Sequence, residues 1–368
     1  MSGMIPLFRV FMSEEAVEDV AGTLRSGFIT QGKKVQEFEA ALQKYLDFEF
    51  GVTVNSATSG LMLALRLAGV EPGDKVISTP MTCSATNEAI ALMGADIVWA
   101  DVNEYGNIDP KSVTSRLQDT GAAAIVAVDW GGLPCDYEAL RMYGLPIIED
   151  AAHAFGATYH GKSISQSGGD FVVYSFQAIK HLTTGDGGLV TMHNEIAYER
   201  GKLLRWYGLD REGSDSMRSR QDIRELGWKF HMNDIAATLG LANLKEMDWV
   251  LERHRKNAAF YDKNLQEFRP DWPRDRESSS WVYTIQVRDP IGFETYAKEN
   301  GFGASQVHRR NDEYSIFEKY RNDDLPGLDR FAAGMVCIPC GWWVTAADQL
   351  RIIEAVWDWQ NLDSSPRA

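Results

Sequence analysis

Three short stretches hold residues whose types and spacing could do chemistry. The first is Tyr174 to Gly188, YSFQAIKHLTTGDGG, where Lys180 separates an apolar run from Thr, Gly and Asp residues suited to a tight turn. In a loop a lysine is ordinarily a solvated charge, but held at a strand end it is an amine of adjustable pKa, able to attack an aldehyde. The second is NSATSGLMLALRL, in which Ser56, Ala57, Thr58, Ser59 and Gly60 join a strand-like run to an apolar-periodic helix. Small residues at a helix N-terminus offer amides and hydroxyls to a phosphate, although Ser56 or Thr58 read alone is equally an N-cap. The third is PIIEDAAHAFGA, which ends a buried run with Glu149 and Asp150 and continues through small residues to His153. A carboxylate leaving a sheet there lies where ligands bind and can ion-pair with a ring nitrogen; it can also cap the next helix. His153 reads as a ring neighbour or as a hydrogen-bonded packing residue.

Ser175, five residues before Lys180, offers a further phosphate hydroxyl. What gives the three stretches a joint meaning is their order. A phosphate turn, then a ring-nitrogen carboxylate, then a Schiff-base lysine, each at a strand end, describe a site for pyridoxal 5'-phosphate.

The elements that must position these groups follow a βαβ succession. Strand candidates are Val52 to Val54, Lys75 to Thr79, Ala95 to Trp99, Ala123 to Val128, Pro146 to Asp150, Asp170 to Phe176 and Gly188 to Met192. Most lack polar alternation, the signature of strands covered on both faces. SGLMLALRLAGV and SATNEAIALMGA carry helical spacing between them and end near Gly. The expected fold is therefore α/β, with a mostly parallel seven-stranded sheet between helices. Residues 233–265 favour a long helix bridging to a smaller α+β region with a strand candidate WVYTIQV and a closing helix AADQLRIIEAVWDWQ. The expected division is a large domain at 1–245 and a small C-terminal domain at 246–368.

The 368 residues exceed one ordinary core, which leaves room for a small-molecule pocket. With 37 Lys and Arg against 52 Asp and Glu, the net charge of −15 opposes binding to nucleic acid or anionic lipid. An anionic ligand must be held by a local cluster, such as Lys33 and Lys34 or Arg309 and Arg310, pairs that are otherwise solvated surface charge. Cys83, Cys135, Cys337 and Cys340 are too scattered for a disulfide framework, and the CIPC pair lacks companions for zinc; no metal is expected. The N-terminus lacks a charged segment followed by a long apolar one, and no apolar run reaches the length of a membrane span. The expected setting is cytoplasmic, without membrane contact.

Nearly the whole chain resembles the pyridoxal phosphate-dependent nucleotide-sugar aminotransferases of the DegT/DnrJ/StrS type, which have the aspartate aminotransferase-like fold type I. The resemblance is carried by SGFITQGKKVQEFEAAL, GDKVISTPMTCSATNEAI, GNIDP, EDAAHAFGA, SFQAIKHLTTGDGG and GWKFHMNDIAATLGLANL. It implies a homodimer with active sites at the subunit interface. It also implies glutamate as amino donor and, as acceptor, a 3- or 4-keto-6-deoxyhexose linked to a nucleotide, in amino-sugar or polysaccharide biosynthesis. Lys180 and Asp150 would be catalytic, Lys180 as the Schiff-base amine and proton shuttle and Asp150 keeping the pyridine nitrogen protonated. Ala57, Thr58 and Ser175 would hold the phosphate, with His153 near the ring. Cys83 stands where the family commonly has an aromatic residue stacked on the cofactor, Lys229 replaces an Asn that reaches the neighbouring subunit's phosphate, and His231 replaces an Arg. Thr30, His308 and Arg309 are substrate candidates, along with Phe8, Trp206 and Tyr207. A related branch with histidine in place of the lysine dehydrates sugars; here Lys180 is present and His181 follows it. The alternatives are such a dehydratase of the same fold, or a noncatalytic relative that senses a ligand.

Overall fold

A computed structural model gives the fold of the chain and describes residues 3–211, 217–321 and 324–362. Seven strands form the main sheet: β1 (Phe50–Val54), β2 (Lys75–Ser78), β3 (Asp96–Trp99), β4 (Ala124–Val128), β5 (Ile147–Asp150), β6 (Phe171–Ser175) and β7 (Gly188–Met192). Their order is β1-β7-β6-β5-β4-β2-β3. β7 pairs antiparallel with β1 and β6, and the other pairings are parallel. Every residue of β4, β5, β6 and β7 is buried, as in strands covered on both faces; β4 is apolar throughout, while β5 ends in Glu149 and Asp150 and β6 in Ser175. This is the α/β sheet expected from the sequence.

Register decides what meets at its edge. Gly188 lies opposite both Val54 of β1 and Ser175 of β6, so the turn after β1 and the end of β6 emerge side by side. Asp150 lies opposite Val128 and Val173, one strand further along the same edge. After β1 comes the helix Ala57–Leu67, capped by Ser56, whose hydroxyl accepts from the Ser59 amide at 3.1 Å. The helix Ser84–Leu92 follows β2 and also starts at that edge.

The segment 233–265 departs from the single helix that its propensities suggest. It forms two, Asp234–Leu244 and Met247–Asn264, although neither Gly nor Pro stands at the junction. The break comes from tertiary contacts. Buried Asn243 accepts from the Ser13 amide at 2.8 Å and donates to the Thr183 carbonyl at 2.9 Å, which anchors the end of the first helix against the turn that follows Lys180.

Beyond these helices, β8 (Tyr283–Gln286) and β9 (Met335–Ile338) pair antiparallel, and the closing helix spans Ala346–Leu362. They enclose an apolar cluster of their own that includes Tyr261, Phe293, Ile352 and, from the other end of the chain, Ile5. Among the described residues no helix is long and apolar enough to cross a membrane.

Candidate active site

A cavity of about 500 Å³ opens where the carboxyl ends of β1, β4, β5 and β6 meet. Ala57, Thr58, Cys83, Asp150, His153, Ser175, Lys180 and His308 all line it, together with Phe8. Residues spread over more than 250 positions of sequence are thus brought onto one surface.

Each group has a local reason for its place. Ser56 spends its hydroxyl on the Ser59 amide, so the amides of Ala57 and Thr58, the first two of the helix, have no acceptor within the helix and face the cavity at its positive end. Ser56 is thus the N-cap, and that role is compatible with the amides of Ala57 and Thr58 receiving an anion. Ser175 ends β6 next to them, opposite Gly188. A Cβ at Gly188 would lie 3.0 Å from the Ala57 nitrogen and 2.8 Å from the Tyr174 carbonyl oxygen, so glycine is what lets β7 pass under this turn.

Asp150 is 4% exposed and makes two hydrogen bonds: Oδ1 accepts from the Ala152 amide at 3.1 Å, and Oδ2 from the Thr86 hydroxyl at 2.7 Å. Thr86 in turn pairs with the Thr82 hydroxyl at 2.8 Å. Burial pushes the carboxyl above its ordinary range, while Thr86, the Ala152 amide and the charge of Lys180 pull it back. Burial brings the Lys180 amine down from 10.5 to about 8, against the opposing pull of Asp150 and Cys83. The Lys180 Nζ sits 3.8 Å from the centroid of the Trp281 ring.

His153 is stacked between Trp281, at 4.0 Å, and His308, at 5.5 Å. Burial holds both imidazoles below their ordinary range, His308 at about 4, so both are neutral near pH 7. His153 Nδ1 and His308 Nε2 are buried without a hydrogen-bond partner. Unpartnered ring nitrogens, free helix amides and a buried amine on one cavity suit a phosphorylated, ring-bearing aldehyde, so the residues present fit pyridoxal phosphate.

Other sequence candidates lie outside this cavity. Thr30 is exposed, its carbonyl accepting from the Asp234 amide at 3.0 Å. Lys229 is exposed, its carbonyl accepting from the Asn55 side chain at 3.2 Å. Arg309 is exposed and bound to Glu313 at 2.8 Å, and Arg310 is occupied by Asp312 and Asp329. Lys33 and Lys34 both face Glu37. Trp206 packs its ring against His231 at 4.2 Å, away from the cavity. His181 points away from the cavity too, its Nε2 on the Ser279 carbonyl at 3.1 Å.

Two site residues have no sequence signal. Thr86 reaches Asp150 across 64 positions, and Trp281 reaches Lys180 across 101 (281 − 180). Thr86 reads as an ordinary polar helix position and Trp281 as the start of a strand.

A sequence model of the DegT/DnrJ/EryC1/StrS aminotransferase family matches residues 11–357. The UDP-4-amino-4,6-dideoxy-N-acetyl-beta-L-altrosamine transaminase of Campylobacter jejuni is 31% identical over 350 residues, covering 89% of this chain and 90% of that protein. The crystal structure of the sugar aminotransferase CalS13 from Micromonospora echinospora superimposes with a TM-score of 0.92 at 38% identity, over 96% of this chain and 100% of the other. AtS13 from Actinomadura melliaura gives a TM-score of 0.91 at 41% identity, over 97% and 99%.

Proposed function

The chain belongs to the DegT/DnrJ/EryC1/StrS aminotransferase family and is an aminotransferase that uses pyridoxal phosphate; from that premise we propose its reaction. It moves an amino group from glutamate to the keto group of a nucleotide-linked 3- or 4-keto-6-deoxyhexose, for amino-sugar or polysaccharide biosynthesis. The observation that carries this reading is the convergence of Lys180, Asp150 and the Ala57–Thr58 amides on one cavity. Relatives named for sugar transamination support it, among them the Campylobacter enzyme and CalS13.

When bound, the cofactor supplies an electron-withdrawing ring that stabilises charge on the carbon that exchanges protons. The chain supplies everything else. Lys180 is the amine that would hold the cofactor's aldehyde carbon, and with a pKa of about 8 it passes between neutral and charged forms near neutral pH, as proton transfer at the substrate carbon requires. Asp150, fixed by Thr86 and the Ala152 amide, presents negative charge that would keep a ring nitrogen protonated. Ala57, Thr58 and Ser175 would hold the phosphate, His153 would lie beside the ring, and Cys83 at the lip leaves space where an aromatic side chain would stack. His308 is the substrate candidate that lines this cavity; outside it, Arg309 is proposed for the nucleotide diphosphate and Thr30 for the sugar. The active unit is a homodimer in which Lys229 reaches the partner's phosphate. Four free cysteines support a reducing, cytoplasmic setting. The dehydratase alternative is disfavoured by His181, which is buried against His254 and bound to Ser279 instead of facing the cavity.

The test is an absorbance spectrum of the protein with added pyridoxal phosphate, for the parent and for Lys180→Ala, before and after borohydride, followed by product analysis with glutamate and keto sugars. A visible band that borohydride fixes in the parent and that Lys180→Ala lacks supports the site, and an amino sugar as product supports the reaction. A deoxygenated ketose as product would put the dehydratase reading in its place.

A further inference from the structure

The residues on either side of Lys180 are held by a segment far away in sequence. Ser278 to Trp281 crosses between the loop after β4, the loop after β5 and the loop after β6. Its Ser279 amide donates to the Gly132 carbonyl at 3.1 Å, and the Ser279 hydroxyl donates to the His153 carbonyl at 2.8 Å. The Ser279 carbonyl accepts from His181 Nε2 at 3.1 Å, and the Ser280 carbonyl from His254 Nδ1 at 2.9 Å. Carbonyls only accept, so each ring nitrogen carries its proton, and burial keeps His254 at about 4 and His181 below its ordinary range. Ser280 has φ of 54°, in the left-handed region that a serine enters only when its surroundings hold it there; its amide is bound by the Ser278 hydroxyl at 3.0 Å. Gly132 makes the approach possible, since a Cβ there would lie 2.3 Å from the Ser279 hydroxyl oxygen.

Trp281 completes the strap. Its backbone amide donates to the Gly131 carbonyl at 3.0 Å, and its indole N–H donates to the carbonyl of Ile179, the residue before Lys180, at 2.9 Å. The ring is 2% exposed, packed by Phe8 at 4.8 Å and His153 at 4.0 Å, with the Lys180 Nζ 3.8 Å from its centroid. We infer that Trp281 is a positioning residue for Lys180: its indole N–H fixes the backbone beside the lysine, and its ring face seats the amine at the cavity. The inference rests on Lys180 being the cofactor-bearing amine.

An aromatic face favours the ammonium form, and here it acts against burial. The titratable groups within electrostatic reach of the amine are Asp150 from β5, Cys83 from the turn after β2, His153 and His308 on the cavity, and His181 behind it. Substitution at Trp281 leaves all of them in the chain, and Lys180 unchanged.

The experiment treats the full-length chain, stripped of cofactor, with pyridoxal phosphate at a series of pH values, traps with borohydride, and counts the adduct on Lys180 by peptide mass spectrometry. The amine condenses with the aldehyde, releasing water, and hydride reduces the new C=N bond. Labelling of the parent should have its midpoint near pH 8. Trp281→Leu keeps an apolar neighbour but loses the ring face, and its midpoint should fall by roughly one pH unit. Trp281→Phe keeps a ring but loses the N–H, so it should hold the parent's midpoint while labelling several-fold more slowly. A leucine variant with the parent's midpoint, or a phenylalanine variant with the parent's rate, overturns the inference; if the leucine variant does not fold, the phenylalanine rate decides. Lys180→Ala separates the two readings: the parent's yield of adduct elsewhere in that variant would refute the assignment of Lys180 and the inference with it, whereas loss of the adduct there, with parent-like labelling of the Trp281 variants, would refute the inference alone.

Discussion

Glu149 and Asp150 are consecutive carboxylic acids with opposite surroundings, because successive side chains of a strand point to opposite faces of the sheet. Asp150 faces the cavity and is held ready by Thr86 and the Ala152 amide. Glu149 faces the interior, where its Oε2 accepts from the Gly169 amide and its Oε1 has no partner except the Asp129 carboxyl, whose Oδ2 is likewise unpartnered. Burial, and then the charge of Asp129, push Glu149 well above the ordinary carboxyl range. One proton shared between the two acids satisfies both. A carboxyl whose folded pKa is raised contributes stability that is present below its unfolded value and is lost as pH rises through the folded value. Glu149→Gln keeps a donor toward Asp129 and an acceptor for Gly169 without titrating. Its melting temperature should exceed the parent's at pH 8 and match it near pH 5. Equal melting temperatures at both pH values in a differential scanning experiment would mean that the pair does not share a proton.

At the scale of elements, the site depends on β7 passing close beneath the first turn of the helix Ala57–Leu67. Gly188→Ala would put a methyl 2.8 Å from the Tyr174 carbonyl oxygen, closer than side chains pack, and 3.0 Å from the Ala57 nitrogen, so it would push the free amides away from where a phosphate would sit. Losing one charge-assisted hydrogen bond costs about 1.5–3 kcal/mol, so the dissociation constant for pyridoxal phosphate should rise at least tenfold or so in a fluorescence titration. An unchanged affinity with a lower melting temperature would show that the glycine serves only packing. This contact also marks how far the sequence could be read. The strands were legible because β4 and the starts of β5 and β6 are apolar runs without polar alternation, and the turn after β1 because its small residues stand between two periodic patterns. The hydrogen bond from Thr86 to Asp150, the indole tie to Ile179 and the break after Leu244 were not, because each is decided by a partner more than 50 positions away that leaves no local pattern. Arg309 and Arg310 illustrate the reverse case. Their charges were visible in the sequence, but Glu313, Asp312 and Asp329, which occupy them, could not be assigned to them without the fold.

For the whole molecule, the difficulty is to hold a phosphate on a chain with a net charge of −15. Among the described residues that line the cavity, Lys180 is the only lysine or arginine, and the proposed role commits it to the aldehyde end. On the proposed assignment the phosphate end would be left with neutral donors, the Ala57 and Thr58 amides and the Thr58 and Ser175 hydroxyls. A cation from outside the chain would complete it. Lys229 is exposed and lies outside its own cavity, and Phe28, at 79% exposure, and Leu226, at 82%, are large apolar side chains left uncovered on the segments that carry Thr30 and Lys229. Such surface suits a face covered by a second copy. If Lys229 acts across that face, Lys180→Ala and Lys229→Ala subunits should each be nearly inactive alone at limiting cofactor. Co-expressed, they should recover roughly a quarter of parent activity, because half the dimers are mixed and each mixed dimer contains one site with both lysines intact. If Lys229 served its own chain's site, every site in the mixture would lack one lysine, and the activity of the mixture would stay at that of the separate variants.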